Sequence, residues 1–438
     1  MVLEIIPVGG YGEIGRNSTL IRYNDEAVLL DLGLHMEHYV ALTEDEDVVK
    51  MNPQLLMDHN AVPDIRKIKE WIPKIKAIAI SHAHLDHLGA IPFLGDKFPC
   101  PIHGSPYTIS VLKALLKDDG ITVRNDLLPH SENSIFPVSK HIKLEFISAT
   151  HSIPQAVMIC VHTPEGNILY TNDFKLDFTP VIGKKPNLKR LKELKLKAVI
   201  VDSLYADDPR HTPSEAIAKE MLKDTLYGID TKGKAIIVTT FSSHIARLKS
   251  IIEIGTKLGR KIVFLGRSLA KYATAAEDIG LVQFSKEVEM VQYGSKIKRE
   301  LAKIKKPDEY IFVVTGHQGE PKATLSKMLN KKLFNFKPED IVIFSCKTIP
   351  TPVNLENRER LESELKSEHI RIFKDIHVSG HAGREDIREL LHLLNTEQVI
   401  PSHGTPEKNQ ASSELAQEIG FSKEKTPLLK NGDLLKLS

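Results

Sequence analysis

The run SHAHLDHLG at residues 81–89 most constrains this chain, because it places four side chains that can bind a metal within six positions. It follows the apolar stretch AIAI, which predicts a buried strand that ends in a loop. In extended backbone His82 and His84 project to one side, and Asp86 and His87 can turn to a second centre. Four ligands exceed what one tetrahedral ion with an open position takes from a single loop, so the pattern predicts two metals. Imidazole favours zinc among the common ions, and carboxylate suits a bridging or terminal role.

Three further residues support this site, since each follows a strand-like run and is flanked by small or turn residues. They are His151 in SATHSIP, Asp173 in LYTNDFK and His403 in VIPSHGT. Each alone could be a loop residue with local partners. As a set they predict side chains at strand ends around one cleft.

Length and composition indicate an ordinary globular chain. Its 438 residues exceed the common domain size, which predicts two domains or one domain with a large insertion. The net charge of +2 does not exclude nucleic-acid binding, because a local basic patch suffices. Three cysteines without a CxxC pair suit a reducing cytoplasm. The start MVLEIIPVGG predicts neither a leader nor a membrane span, so we expect a cytoplasmic protein with no membrane partner.

The pattern of predicted strands and helices divides the chain into three segments. Residues 1–203 contain many short β-rich runs, such as LEIIPVG and STLIRY. In residues 204–370, runs such as AIIVTTF and KIVFLG alternate with helical patterns, which predicts parallel strands with crossover helices. Metal-type residues return in 371–438. We therefore predict an α/β fold in which the middle segment is an insertion.

Two local patterns need a structural interpretation. The glycines of GYGEIG, residues 10–15, fit a dinucleotide-binding fingerprint, but a predicted β-hairpin follows in place of the required helix. A glycine turn that lets backbone approach a site is the better interpretation. The second pattern predicts a helix with Thr212 as cap, Pro213 as first residue and Glu215 closing a capping box.

The motif H-x-H-x-D-H at 82–87, with His151, Asp173 and His403, resembles the metallo-β-lactamase fold. Asp202 in VIVDSLYA, His381 in HVSGHAGREDI and His403 resemble motifs of the β-CASP nucleases. VGGYGEIGRN, LLDLG, TTFSSHIARL, VTGHQGEP and VIFSCKTIP are similar to stretches of the ribonuclease J family, especially its compact archaeal members. The resemblance implies an αββα sandwich with an inserted parallel α/β β-CASP domain.

The resemblance also implies roles for these residues. One zinc would take His82, His84 and His151, and a second would take Asp86, His87 and His403, with Asp173 as the bridge. His381 would donate a proton, unless it only caps the following helix. Asp202 would orient a ligand histidine, unless it is an ordinary strand-end aspartate. We count His381, Asp202 and Asp86 as the predicted catalytic residues.

The predicted substrate is single-stranded RNA, held by its phosphates. By resemblance the candidates are His377, Val378, Ser379, Gly380 and His381, with Ser345, Ser242 and Ser243 as possible additions or ordinary helix caps. The basic run at 184–197 could steer RNA or be a solvated face.

Together with these residues, the resemblance implies a zinc-dependent 5′→3′ exoribonuclease that prefers 5′-monophosphate ends and acts in RNA maturation and decay. Three alternatives stay open: an endoribonuclease of the RNA 3′-end-processing group, a non-catalytic RNA-binding subunit, and a hydrolase of small esters or lactams. A homodimer is possible.

Overall fold

The computed structural model of the protein describes residues 2–43 and 52–437. The chain forms two compact units. The first unit comprises Met1–Phe178, Gly183–Thr212 and Gly380–Ser438, and the inserted unit comprises Thr179–Ile182 and Pro213–Ser379. No helix within residues 2–43 and 52–437 is long and apolar enough to cross a membrane.

The strands and helices are numbered along the chain. The strands are β1 (Leu3–Gly9), β2 (Ser18–Tyr23), β3 (Glu26–Leu30), β4 (Ile75–Ala79), β5 (Ile102–Gly104), β6 (Leu127–Pro129), β7 (Ser134–Pro137), β8 (Lys143–Ser148), β9 (Val157–Thr163), β10 (Gly166–Tyr170), β11 (Lys195–Asp202), β12 (Ile236–Thr239), β13 (Lys261–Leu265), β14 (Glu289–Val291), β15 (Tyr310–Val314), β16 (Ile341–Phe344), β17 (Arg371–Phe373), β18 (Asn395–Thr396), β19 (Val399–Ser402) and β20 (Leu435–Leu437). The helices are α1 (Met36–Thr43), α2 (Pro53–Asp58), α3 (Leu85–Leu88), α4 (Ile91–Leu94), α5 (Pro106–Asp119), α6 (Leu188–Glu193), α7 (Glu215–Gly228), α8 (Ile245–Lys257), α9 (Arg267–Asp278), α10 (Gly294–Lys303), α11 (Thr324–Asn330), α12 (Pro352–Ser367), α13 (Arg384–Leu393) and α14 (Pro406–Glu418).

The first unit is built on two packed sheets. One sheet has the order β20-β1-β2-β3-β4-β5-β6, and the other has β18-β11-β10-β9-β8-β7 with β19 also paired to β11. A shared core joins their inner faces, for example Ile5 and Val28 from the first sheet with Phe146 and Ile159 from the second. The outer face of the second sheet packs against α6, α13 and α14 through residues such as Leu191. Burial of apolar area on both faces is the main stabilising term for such layers.

The inserted unit is built on one parallel sheet with the order β14-β13-β15-β12-β16-β17. Its strands are nearly all apolar because both faces are covered by helices. Phe312, Leu325 and Leu361 show this cover, since they come from β15, α11 and α12 and share one core. The loops that follow the strands collect at the carboxyl edge of the sheet, where α/β folds usually bind ligands.

Two local predictions have different outcomes. The β-hairpin predicted after GYGEIG is confirmed, because β2 and β3 pair antiparallel from Thr19–Leu30 to Tyr23–Glu26. The predicted helix start at Pro213 is wrong. Helix α7 begins at Glu215, and Ser214 is its N-cap, with a side chain that accepts from the Ala216 amide.

Candidate active site

The predicted metal ligands all lie in the first unit, directly after strands. His82, His84, Asp86 and His87 lie between β4 and the end of α3, and His151, Asp173 and His403 follow β8, β10 and β19. Asp202 is the last residue of β11, whose parallel pairing with β19 places it opposite Ser402. The structure therefore brings residues far apart in sequence to one edge of the sandwich.

One cluster joins His82, His84, His151 and Asp173, whose nearest ligand atoms all lie within 4.8 Å of one another. His84 Nδ1 lies 3.0 Å from His82 Nε2 and 3.1 Å from His151 Nε2. Asp173 Oδ2 lies 3.7 Å from each of these two Nε2 atoms. The three predicted ligands of the first metal are therefore together, with the predicted bridge beside them.

A second cluster joins Asp86, His87, Asp173 and His403 under the same distance limit. His87 Nε2 lies 3.2 Å from Asp173 Oδ2 and 3.4 Å from Asp86 Oδ2. His403 Nε2 lies 3.7 Å from Asp173 Oδ1. Asp173 thus belongs to both clusters, and its two oxygens face different histidines.

Burial controls the charge of the first cluster. It lowers the pKa of His82 and His151 well below the usual value and lowers that of His84 to about 4. These three imidazoles are neutral at neutral pH, so each keeps a nitrogen lone pair that can bind a metal.

The second cluster carries negative charge. Burial opposes ionisation of Asp173, but the imidazoles of His403 and His87 outweigh burial and hold its pKa well below the usual range. Burial likewise opposes protonation of His87, but the carboxylates of Asp173 and Asp86 outweigh burial and raise its pKa well above the usual range. These carboxylates therefore stabilise positive charge beside them, which is the proton of His87 or, once that proton is released, a bound cation.

Outer hydrogen bonds orient the imidazoles of the second cluster. His87 Nδ1 donates to Asp31 Oδ2 at 2.7 Å, and His403 Nδ1 donates to Asn17 Oδ1 at 2.9 Å. Each bond directs the Nε2 of that ring toward Asp173, as outer partners do around metal-binding histidines. Sequence analysis missed Asp31 and Asn17. The available signal was a polar residue next to an apolar strand, since Asp31 follows β3 and Asn17 precedes β2.

The first cluster has comparable supports. His82 Nδ1 lies 3.2 Å from the hydroxyl of Ser81, which itself donates to Asp31 Oδ2 at 2.7 Å. His151 Nδ1 donates to the carbonyl of Gly380 at 2.7 Å. A Cβ atom at Gly380 would lie only 2.8 Å from the His151 ring, so glycine is required for this approach.

The glycine-rich turn also serves the site. The Gly10 carbonyl accepts from the His403 amide at 2.7 Å. Gly10 has φ +87°, and a Cβ there would meet the Asn17 side chain at 2.4 Å. The interpretation of GYGEIG as a turn that lets backbone approach a site is therefore confirmed.

His381 and Asp202 form a pair beside the two clusters. His381 Nδ1 donates to Asp202 Oδ2 at 2.8 Å, and His381 Nε2 lies 3.8 Å from Asp173 Oδ2. Burial opposes protonation, but Asp202 and Asp173 outweigh burial and raise the pKa of His381 to about 9. Asp202 therefore contacts the predicted proton donor in this hydrogen bond, where the sequence analysis expected a ligand histidine. His381 is not the helix cap either, since Gly383 is the N-cap of α13.

The predicted substrate-binding residues are distributed over both units. His377, Val378 and Ser379 end the inserted unit, and Gly380 and His381 resume the first unit. Ser242, Ser243 and Ser345 follow β12 and β16 at the carboxyl edge of the parallel sheet.

The three serines differ in their surroundings. Ser345 is fully buried, and its hydroxyl donates to the Ile376 carbonyl at 3.0 Å. Ser242 is partly exposed, and its hydroxyl donates to that of Ser268 at 3.2 Å. Ser243 is buried just before α8. Ser345 can therefore act on a ligand only through the backbone it supports.

The basic run at 184–197 contains α6 and the start of β11. Its five exposed lysines are Lys184, Lys185, Lys189, Lys192 and Lys195. Arg190 instead donates to both carboxylate oxygens of Glu145, at 2.7 and 3.1 Å. Part of the run therefore holds α6 to the second sheet, and the lysines form a solvated face.

The donor set of the two clusters fits a divalent metal. Imidazoles and ionised carboxylates are the usual ligands of such ions in hydrolases, and His87, whose pKa is raised, would release its proton when a metal binds. Asp173 Oδ1 is buried and has no hydrogen-bond partner within the described part of the chain. A buried carboxylate oxygen without a donor is costly, and coordination of a cation would remove that cost.

Three family profiles match this chain. They are the metallo-beta-lactamase superfamily over residues 11–202, the beta-CASP domain of ribonuclease J over 233–359, and the RNA specificity domain of zinc-dependent metallo-hydrolases over 369–426. The predicted fold class, a metallo-β-lactamase sandwich with an inserted β-CASP domain, is confirmed.

Curated relatives match over almost the whole chain. Ribonuclease J from Methanocaldococcus jannaschii is 42% identical over 99% of both chains. Ribonuclease J from Pyrococcus abyssi is 40% identical over 96% of this chain and 94% of its own length. Ribonuclease J 1 from Streptococcus pyogenes is 32% identical over 99% of this chain and 74% of its own length.

A solved structure shares the fold. It is a crystal structure of a protein of unknown function from Enterococcus faecalis V583, with a TM-score of 0.67, 18% identity and full coverage of both chains. At this identity the likeness extends to the fold alone.

Proposed function

Because this chain belongs to the ribonuclease J family of metal-dependent ribonucleases, we propose that it degrades single-stranded RNA from the 5′ end. We propose further that it prefers ends that carry a monophosphate. The observation that carries the hydrolytic part is that Asp173 belongs to both ligand clusters. RNA decay and maturation are the processes that such an activity would serve.

We propose two zinc ions at this site. The first would be held by His82, His84 and His151, and the second by Asp86, His87 and His403. Asp173 would bridge them, since its two oxygens face different histidines. When bound, a pair of zinc ions supplies a water that ionises near neutral pH and offsets charge on the phosphate oxygens.

His381 is the proposed proton donor. Its pKa of about 9 keeps it protonated at neutral pH. Because Asp202 accepts the hydrogen on Nδ1, the hydrogen on Nε2 is available for a phosphate oxygen or the leaving oxygen. Asp202 thereby orients the donor and stabilises its charge.

The turn from His377 to His381 is the proposed site for the 5′ phosphate. Gly380 brings the backbone of this turn close to His151, and Ser379 immediately precedes it. Chain geometry alone keeps the Cα atoms of Ser379 and His381 within about 7 Å of each other. A phosphate held by this turn would therefore be close to the proton donor.

The proposed preference for a 5′ monophosphate follows from the charge of that group and from its renewal after each cleavage. A terminal monophosphate carries more charge than an internal diester, and amide and hydroxyl donors of the turn would favour it. Each cleavage would release one nucleotide and leave a new 5′ phosphate, which supports processive degradation. A triphosphate would be too large for the same turn.

Three further assignments belong to this proposal. The three cysteines are free and buried, which supports a cytoplasmic location. A homodimer is the proposed assembly. We propose that residues 1–203 and 371–438 form the metallo-β-lactamase domain and that residues 204–370 form the inserted β-CASP domain.

RNA labelled separately at each end, with either a 5′ monophosphate or a 5′ triphosphate, tests the direction and the preference. We expect mononucleotides to appear first from the 5′ label and the monophosphate substrate to disappear faster. Equal rates on the two ends, or a ladder that starts at the 3′ end, would refute the proposal.

The variant Ser379→Leu tests the place of the phosphate. It should abolish the monophosphate preference and leave the metal content unchanged, because it fills the proposed turn without touching a ligand. Ser367→Leu, at the exposed end of α12, is the control and should keep the preference. A preference that survives Ser379→Leu would place the phosphate elsewhere.

A further inference from the structure

Arg247 on α8 is the largest side chain that is fully buried, with 0% exposure. Its Nε and Nη2 atoms donate to the two carboxylate oxygens of Glu215, at 2.6 and 2.9 Å. Glu215 is the first residue of α7 and is itself buried. A buried ion pair is retained at a desolvation cost, so the arrangement that it specifies calls for an explanation.

The third nitrogen of Arg247 joins two loops. Nη1 shares its hydrogens among the Ser345 carbonyl at 2.9 Å, the Ser345 hydroxyl at 2.8 Å and the Ile376 carbonyl at 3.0 Å. Ser345 follows β16, and Ile376 lies beyond β17. The Ser345 hydroxyl in turn donates to the Ile376 carbonyl at 3.0 Å. One guanidinium group thus ties the loop after β16 to the segment that immediately precedes His377.

We propose that Arg247 is a positioning residue for substrate binding, which fixes the backbone of residues 376–379 against the Ser345 loop. The inference rests on the proposed function, in which the turn that begins at His377 holds the RNA end. Arg247 has no exposed surface and does not touch RNA itself. Its effect passes through the Ile376 carbonyl, one residue before that turn.

Geometry explains why arginine is needed at this position. Its planar group binds a carboxylate on one side and still presents a nitrogen to carbonyls on the other. Lysine keeps the charge opposite Glu215 but carries a single nitrogen, so it cannot also hold Ser345 and Ile376 in the same places. The variant Arg247→Lys therefore loosens the two loops without removing the charge.

The test combines kinetics with hydrogen exchange on the full-length, metal-loaded enzyme. In Arg247→Lys, amide exchange should rise at residues 345–347 and 376–379. The KM for single-stranded RNA should rise about tenfold, the scale of one lost hydrogen bond, with kcat within about threefold of wild type. Loss of folded molecules alone would lower kcat and leave KM unchanged.

Arg358→Lys is the matched control in the same unit. Arg358 is also buried, pairs with Glu362 at 2.9 Å, and donates to a carbonyl, that of His317, at 2.7 Å. It should lower the melting temperature without changing KM. Unchanged exchange at either loop in Arg247→Lys, or an equal rise in KM in the control, would overturn the inference.

A second variant and a separate measurement distinguish the role of Arg247 from misfolding and from the proposed function. If Arg247→Lys fails to fold, the double variant Arg247→Met with Glu215→Gln removes both charges of the Arg247–Glu215 pair together and is assessed by the same KM and exchange measurements. The 5′-end preference of the wild type is measured separately. Its absence would refute the proposed end recognition, whereas exchange and KM would still decide the role of Arg247.

Discussion

The metal cluster of the first unit and the Arg247 network of the inserted unit are both buried and polar, but they differ in how donors meet acceptors. Around Arg247 every described bond joins a donor to an acceptor, from the guanidinium to Glu215 and to two carbonyls. In the metal cluster the match is incomplete, since Asp173 Oδ1 is buried and has no hydrogen-bond partner within the described residues.

The difference separates a scaffold from a binding site. A matched network is satisfied by its own members and therefore specifies one backbone arrangement. A network that leaves the Asp173 Oδ1 atom without a donor would be completed by a bound cation. Substitutions in the Arg247 network should change stability. Substitutions in the metal cluster should change metal binding and catalysis.

Asp173→Ala should have the largest effect. Because one carboxylate serves both clusters, both metals should be lost, and hydrolysis should fall by at least about 10³-fold. Elemental analysis and the cleavage rate measure the two losses. Asp340→Asn is the control, since Asp340 is a buried carboxylate that accepts from the backbone amides of Ala235 and Lys337. If Asp173→Ala kept both metals, Asp173 would not be the bridge.

Glu215→Ala should have the next largest effect, which is a loss of folding stability. It leaves Arg247 buried without its anion, which should lower the free energy of unfolding by about 3–5 kcal/mol. Denaturant unfolding with the metals bound measures the change. The double variant Arg247→Met with Glu215→Gln should lose less, because neither charge remains. An equal loss in both variants would mean that the pairing of charges is not what stabilises the network.

The same pair predicts a pH dependence. Burial opposes ionisation of Glu215, but His244 and Arg247 outweigh burial and hold its pKa well below the usual value. The stabilisation is therefore fully present above the unfolded pKa of about 4.3, and it is lost as pH falls toward the folded pKa. The double variant should show a flatter stability profile below that pH.

His381→Ala should affect catalysis without removing metal. The loss of a positioned proton donor should lower activity by about 10²-fold, with the metal content of wild type. Asp202→Asn should lose less, because the ring remains in place. Activity within a few-fold of wild type for His381→Ala would leave His381 with a structural role only.

Asp31→Asn should have the smallest effect of the series. Asp31 accepts from His87 Nδ1, and loss of such an outer partner should weaken metal binding by about 10- to 100-fold. Titration with a competing chelator measures the affinity. An unchanged affinity would show that packing alone holds the His87 ring.

Sequence patterns predicted the longer strands and missed the short ones. The strands β1 and β2 coincide with the predicted runs LEIIPVG and STLIRY because these runs extend over seven and six positions without a helical pattern. Strands such as β5 and β14 have only three residues, so a sliding pattern cannot distinguish them from loops. The start of α7 was misplaced because Ser214 and Thr212 are both good caps, and Glu215 pairs with a residue 32 positions away.

The site was predictable only where its residues share a motif or follow a strand. The close spacing of four metal-binding side chains in one motif made part of the site predictable, namely His82, His84, Asp86 and His87. Asp31 and Arg247 do not, because their roles depend on partners from distant segments that only the folded chain brings together. For Ser345 the sequence was misleading. Its position after a strand suggested contact with a ligand, but its hydroxyl is buried and donates to the Ile376 carbonyl.

The parallel pairing of β19 with β11 has a consequence for biosynthesis. Residues 195–202 leave the ribosome long before residues 399–402, with Pro213–Ser379 of the inserted unit translated between them. His403 follows β19, so a nascent chain that ends before this strand lacks one ligand of the second cluster. At about 5–20 residues per second, roughly 10–40 s separate the two strands. If His403 is a metal ligand as proposed, an unfinished chain would lack nuclease activity until this residue has been translated and folded into place.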